Sequence, residues 1–185
     1  DFFASVLGLR ANYESYTKSL RLENLYRADN LLADGDFEDV HSLRHWTTRN
    51  FTYVVRAEEG HTGNYCMQYK GTTNFSEGKG QMGAYAYVLD AVQQYGAGVY
   101  RVTFFARSDS ENLTDATVGA GLSWHYNANV LSEKMQPLTA EWKKYTFDIE
   151  LEENLLLRAK KMAMSVVCEN CDSVLIDDVT MIKLP

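Results

Sequence analysis

The chain has 185 residues, 45% of them hydrophobic and 23% charged, which suits one domain of about 150 residues plus an appendage, able to bury a core without disulfide or metal staples. A formal net charge of -7, with only Lys143-Lys144 and Lys160-Lys161 as adjacent basic pairs, speaks against nucleic acid as a partner, because phosphate tracking needs clustered Lys and Arg. No apolar run approaches the roughly 18 residues of a membrane span, and the first residues lack the charged-apolar-small order of a secretory signal.

In chain order, residues 1–26 carry helical spacing. Phe2, Val6, Leu9, Tyr13, Tyr16 and Leu20 recur every three or four positions, with Arg10, Asn12, Glu14, Lys18 and Arg21 elsewhere. This predicts a short N-terminal α-helix, so residues 1–29 form an amphipathic helix or linker and 30–185 the main domain. The stripe spans fewer than three heptads. It either docks on a neighbouring surface or joins copies into a homo-oligomer.

The opening stretch Asn30-Leu31-Leu32-Ala33-Asp34-Gly35-Asp36-Phe37-Glu38 begins a region of period two, the mark of strands with one buried face. Alternation there puts Asp36 and Glu38 on one side and sends Phe37 toward the core. Further alternating segments cover 51–58, 64–70, 82–89, 99–107, 117–126, 142–151, 162–168 and 174–182. Residues 152–159 form at most one helical turn. Strands of this cadence, separated by Gly-, Asn- and Asp-containing turns, define an all-β class, here a β-sandwich of about nine antiparallel strands. Trp46, Trp124 and Trp142 are expected in its core.

Two features suit a binding surface. Arg101, Phe105 and Arg107 form the outward side of 99–107 in this alternation, and Tyr85 and Tyr87 share one face of their strand. Gly119, Gly121, Ser123 and His125 make an almost bare face opposite Val118, Ala120, Leu122 and Trp124. Such a floor leaves room for a ligand or lets another part of the chain approach closely.

Enzymatic signatures are missing: there is no Gly-x-Ser-x-Gly, His-Glu-x-x-His, phosphate loop or dinucleotide fingerprint, and the four histidines are scattered. The expectation is therefore a protein that is not an enzyme. Cys168 and Cys171 form a lone Cys-x-x-Cys. Without a second pair this reads as a buried strand end and a turn residue, with a disulfide between them as the alternative.

The opening motif, Trp46, Gly63-Asn64-Tyr65-Cys66-Met67, the strand Tyr100-Arg101-Val102-Thr103-Phe104-Phe105-Ala106-Arg107, Trp142-Lys143-Lys144-Tyr145-Thr146 and the closing Leu175-Ile176-Asp177-Asp178-Val179 together resemble the carbohydrate-binding modules of families 4, 9 and 22. The resemblance covers residues 30–185 and leaves 1–29 outside. It implies a non-catalytic, galactose-binding-domain-like jelly roll that binds a polysaccharide or oligosaccharide in a groove on one sheet. Such a module works as part of a larger multidomain protein, extracellular or at the cell surface. Tyr85, Tyr87, Arg101, Phe105 and Arg107 are then candidates for the groove. Phe75 falls near the family's groove aromatic, although Lys70 and Phe75 stand where the family more often has Arg and Trp. The resemblance also implies a structural calcium held by Glu38 and Asp177, with Asp36 on the same side, plus backbone carbonyls of the 61–64 turn, an oxygen cage of the kind a hard cation needs. A rival reading keeps the jelly roll but makes it a structural or assembly protein, such as an adhesin or phage-particle component, that oligomerises through its helix.

Overall fold

The computed structural model describes residues 10–14, 19–23, 30–49, 53–71, 81–123 and 135–185. The chain divides into two compact units, Asp1–Asn30 and Leu31–Pro185.

In the first unit, the described residues are not helical. Strands β1 (Arg10–Glu14) and β2 (Ser19–Glu23) pair antiparallel, with Ala11 opposite Leu22 and Tyr13 opposite Leu20. This corrects the expected N-terminal helix over these positions. The seven-residue step from Tyr13 to Leu20 reads as two helical turns, yet it is also the separation of directly opposed residues in this hairpin. Leu20 and Leu22 alternate with Ser19, Arg21 and Glu23 at period two, so the segment satisfies both templates. Phe2, Val6, Leu9 and Tyr16 of the stripe lie outside the described residues.

The second unit is a β-sandwich of two antiparallel five-stranded sheets. Its strands in chain order are β3 (Trp46–Arg49), β4 (Tyr53–Ala57), β5 (Cys66–Lys70), β6 (Gln81–Tyr87), β7 (Gly98–Arg107), β8 (Thr117–Ser123), β9 (Gln136–Pro137), β10 (Lys143–Leu151), β11 (Ala163–Glu169) and β12 (Ser173–Lys183). The first sheet runs β10-β7-β12-β5-β4 and the second β3-β6-β11-β8-β9. Two short helices, α1 (Leu89–Tyr95) and α2 (Glu153–Arg158), lie between strands. Strand β7 shows why alternation found it: Tyr100, Val102, Phe104 and Ala106 are fully buried, while Arg101, Thr103, Phe105 and Arg107 are only half-buried.

Side chains from both inner faces make one core. The Phe104 ring stacks on Tyr145 at 5.7 Å and on Phe147 at 5.9 Å, and Met164, Val166, Val118 and Leu122 enter from the other sheet. Trp46 is in this core, 5.6 Å from Phe37. Trp142 is not: it is half-buried beside His61 and Arg107, because it precedes β10 and lies outside the alternating run. Trp124 lies outside the described residues.

The two ends of the unit meet, as expected from their acidic motifs, but the opening stretch is a turn and not a strand. Asp34 and Phe37 have φ of 52° and 54°, left-handed values that interrupt any ladder. Phe37 is nonetheless fully buried. Gly35 accepts the Val179 amide at 2.8 Å, and a β-carbon at Gly35 would run into the Val179 carbonyl. Only glycine permits that approach. All three cysteines are free thiols. The Cys168 sulfur lies 2.9 Å from the Tyr69 hydroxyl, deep in the core.

Candidate functional site

The outward faces of the two sheets carry different chemistry. On the second sheet, Ala84 and Ala86 turn inward, which leaves Tyr85 and Tyr87 on the outer side of β6. Their rings meet edge-to-face at 5.6 Å and 89°. Tyr87 is 57% exposed.

Pairing register extends this face across the sheet. Tyr85 stands opposite Thr47 on one side and Ser165 on the other, and Ser165 opposite Gly121; Tyr87 stands opposite Ala163, which stands opposite Ser123. The tyrosines thus rise beside a floor of small residues. That floor is sheltered: Ser165 is 3% and Val167 1% exposed although both are on the outer side. Part of the shelter is Met135, whose sulfur occupies the space a side chain at Gly119 would need. The bare face expected at Gly119 therefore admits another segment of the same chain, and the open part of the surface is its Tyr87 end.

The first sheet carries Arg101, Phe105 and Arg107 outward on β7, where each already has a close partner. Arg101 donates two hydrogen bonds of 2.6 Å to the Asp148 carboxylate, and these hold the Asp148 carboxyl below the usual range. Arg107 pairs with Glu59 and lies over the Trp142 ring at 5.4 Å. The Phe105 ring is stacked under the His61 imidazole at 3.6 Å. Alternation correctly turned all five candidates away from the core, but Tyr85 and Tyr87 belong to one sheet and Arg101, Phe105 and Arg107 to the other. No single groove holds both sets. Phe75 lies outside the described residues.

The acidic ends converge on the turn after β4. Asp177 is fully buried; its Oδ2 accepts the His61 and Thr62 amides at 2.7 and 3.1 Å, and its Oδ1 accepts the Asp178 amide at 2.8 Å. Burial pushes its carboxyl up to about 7, Asp178 adds to the rise, and the three amides oppose it. Asp178, at φ 51°, sits where the β12–β7 register shifts, and its carboxylate engages the His61 ring at 3.0 Å and the Thr62 hydroxyl at 2.7 Å. Glu38 Oε1 accepts the Asn64 and Tyr65 amides at 2.9 and 2.8 Å. Arg56 ties the opening turn in place: its Nε donates to the Phe37 carbonyl at 2.7 Å, and its guanidinium covers the Tyr65 ring at 3.2 Å. Asp36 is half-buried in that turn.

For a calcium ion, this arrangement fits in its carboxylates and not in its expected carbonyls. Glu38 and Asp177 reach one turn, but the turn presents amide N–H groups to them. Among the described residues, no group of three or more His, Cys, Asp or Glu is placed to hold a metal. The amides of residues 61, 62, 64 and 65 are the functional groups that sequence reasoning missed. Gly60 and Gly63 signal a tight turn there, but not the direction of its amides.

No family model matches the chain, and no curated protein matches it in sequence. Solved structures do match in fold. The CBM22-1 xylan-binding domain from Paenibacillus barcinonensis Xyn10C superposes with a TM-score of 0.62 at 16% identity, over 84% of this chain and 94% of that one. The arabinose-bound MgGH51 α-L-arabinofuranosidase matches with a TM-score of 0.63 at 11% identity, over 83% of this chain and 26% of that one. The enzymatically active domain of tailspike protein 4 of bacteriophage CBA120 matches with a TM-score of 0.55 at 11% identity, over 84% of this chain and 22% of that one. The second unit thus shares the jelly-roll fold of carbohydrate-binding modules, a fold that also occurs as a part of larger glycan-active and phage proteins.

Proposed function

We propose that the chain is a non-catalytic carbohydrate-binding module that holds a polysaccharide or oligosaccharide against the outer face of its second sheet. The observation that carries this reading is the outward Tyr85–Tyr87 pair, 5.6 Å apart and edge-to-face, with Tyr85 half-buried and Tyr87 exposed, beside a sheltered floor of small residues that includes the half-buried Thr47 and Ser123. Tyrosine rings offer an apolar face to the C–H side of a pyranose, and flanking hydroxyl groups hydrogen-bond its rim. The fold shared with a xylan-binding domain supports the same reading. Arg101, Phe105 and Arg107 are assigned to surface packing on the opposite sheet. The module works in an extracellular or cell-surface assembly, attached to a larger protein. Calcium is the proposed occupant of the Glu38–Asp177 end, where it would lock the opening turn to β12 and take no part in sugar contact.

Affinity gels containing xylan, β-glucan, galactan or mannan test the proposal. Retardation by at least one polymer, lost in Tyr87→Ala, is the expected result. A second reading, an assembly jelly roll, would be favoured by retardation by no polymer.

A further inference from the structure

A recess of about 500 Å³ opens at the Tyr87 end of the second sheet, walled by Tyr87, Leu89, Asp90, Lys160 and Lys161. Its volume is within the roughly 300–1,000 Å³ of small-molecule sites. Backbone pairing builds it: Tyr87 stands opposite Ala163, and the Val88 amide donates to the Met162 carbonyl at 2.9 Å. That contact brings the 160–161 segment alongside the start of α1. Tyr87, Asp90, Lys160 and Lys161 therefore line a single concavity next to the proposed sugar face.

We infer that this recess holds an acidic pyranose, a uronic acid residue of a polysaccharide, with its ring on Tyr87 and its carboxylate between Lys160 and Lys161. The inference rests on the carbohydrate-binding reading above and specifies its substrate class. A uronic acid carries its carboxylate on C5, at the edge of the ring. Stacking that ring on a tyrosine face leaves the charge at the rim of the aromatic, within the recess that the two lysines also line. Lysine suits the task because its compact charge sits on a flexible stem and reaches a carboxylate whose exact height varies along a glycan chain. Asp90, on the same wall, accepts hydroxyl hydrogens and repels a carboxylate, so it selects the orientation with the acid toward the lysines. A chain of net charge -7 does not attract polyanions through its overall field. A pair of cations next to an exposed aromatic is thus a local exception to that field, and the other adjacent pair, Lys143-Lys144, belongs to β10 of the first sheet.

Titration calorimetry on the full chain tests this with four soluble polymers: a polyuronate, the same polymer with its carboxyl groups reduced, neutral arabinoxylan and dextran sulfate. Lys160 and Lys161 are exposed, and a circular dichroism melt of the double variant Lys160→Gln, Lys161→Gln checks that it keeps the fold. The wild type is expected to bind the polyuronate about tenfold more tightly than its reduced form, the weight of two part-exposed ion pairs. In the double variant that preference disappears while the reduced polymer still binds. Equal affinity for the acid and reduced forms overturns the uronate inference and leaves the carbohydrate-binding reading standing. Dextran sulfate bound as tightly as the polyuronate overturns it too, as simple cation exchange. Binding to none of the four overturns the uronate inference, and when the affinity gels also show no retardation it defeats the underlying reading itself.

Discussion

Replacing Asp177 by Ala removes the acceptor for three amides, those of His61, Thr62 and Asp178, at a site with no exposed surface. A net hydrogen bond contributes about 1 kcal/mol, so the loss is about 3 kcal/mol. Against it stands the relief of a buried carboxylate that its own burial and Asp178 already disfavour, large enough to offset that loss at neutral pH; below about pH 4, where the carboxyl is neutral in both states, no such relief exists and the expected destabilisation is about 2–3 kcal/mol. For a unit of this size each kcal/mol moves the melting temperature by about 2–4 °C, which gives a fall of about 4–12 °C. Circular dichroism melts at about pH 4 with a chelator present measure it. Asp178→Ala is the comparison, since it removes the partners of the His61 ring and the Thr62 hydroxyl and leaves the three amides on Asp177 in place; its fall is expected to be smaller. A change below about 2 °C for Asp177→Ala would refute the idea that this carboxylate fastens the turn to β12.

The same carboxyl sets a pH dependence. Its folded value near 7 lies above the ordinary aspartate value of about 3.9, so its contribution to stability is fully present below about pH 4 and is lost as pH rises through about 7. Without calcium, wild type minus Asp177→Asn in melting temperature should therefore shrink as pH rises across that window; a difference that grows would contradict the assignment. Calcium in excess should raise the wild-type melting temperature by mass action and leave Asp177→Ala unmoved, whereas identical wild-type melts in calcium and in chelator would sink the calcium proposal. Phe104→Ala, which empties the ring stack with Tyr145 and Phe147, should cost about 3–5 kcal/mol by chemical denaturation, and a cost below about 1 kcal/mol would place the core elsewhere.

Strands were most legible where alternation was long. The expected 99–107 and 142–151 agree with β7 and β10 to within one residue, because nine or ten positions of strict alternation leave no competing period. The four-residue β3 and the two-residue β9 are too short to show a period. Asp34-Gly35 is a turn dipeptide, but the left-handed backbone at Phe37 has no mark in its residue type, and the alternation of Asp36 and Glu38 around it reads as a strand. Alternation reports whether a side chain faces in or out and is silent on which sheet its strand joins. Tyr85 and Phe105 are both outward, and only the long-range order β10-β7-β12-β5-β4 and β3-β6-β11-β8-β9 separates them. The meeting of Glu38 and Asp177 at one turn was legible from the resemblance, but a backbone amide leaves no mark in the residue types around it.

The central claim is tested most directly by calorimetric titration of the best-bound polysaccharide into the wild type, Tyr85→Ala, Tyr87→Ala and Phe105→Ala. Each tyrosine replacement should weaken binding by roughly 1–3 kcal/mol, as for other aromatic anchors, while Phe105→Ala, stacked under His61 on the opposite sheet, should bind as the wild type does. Loss of binding in Phe105→Ala with both tyrosine variants unaffected would contradict the account and move the sugar to the first sheet.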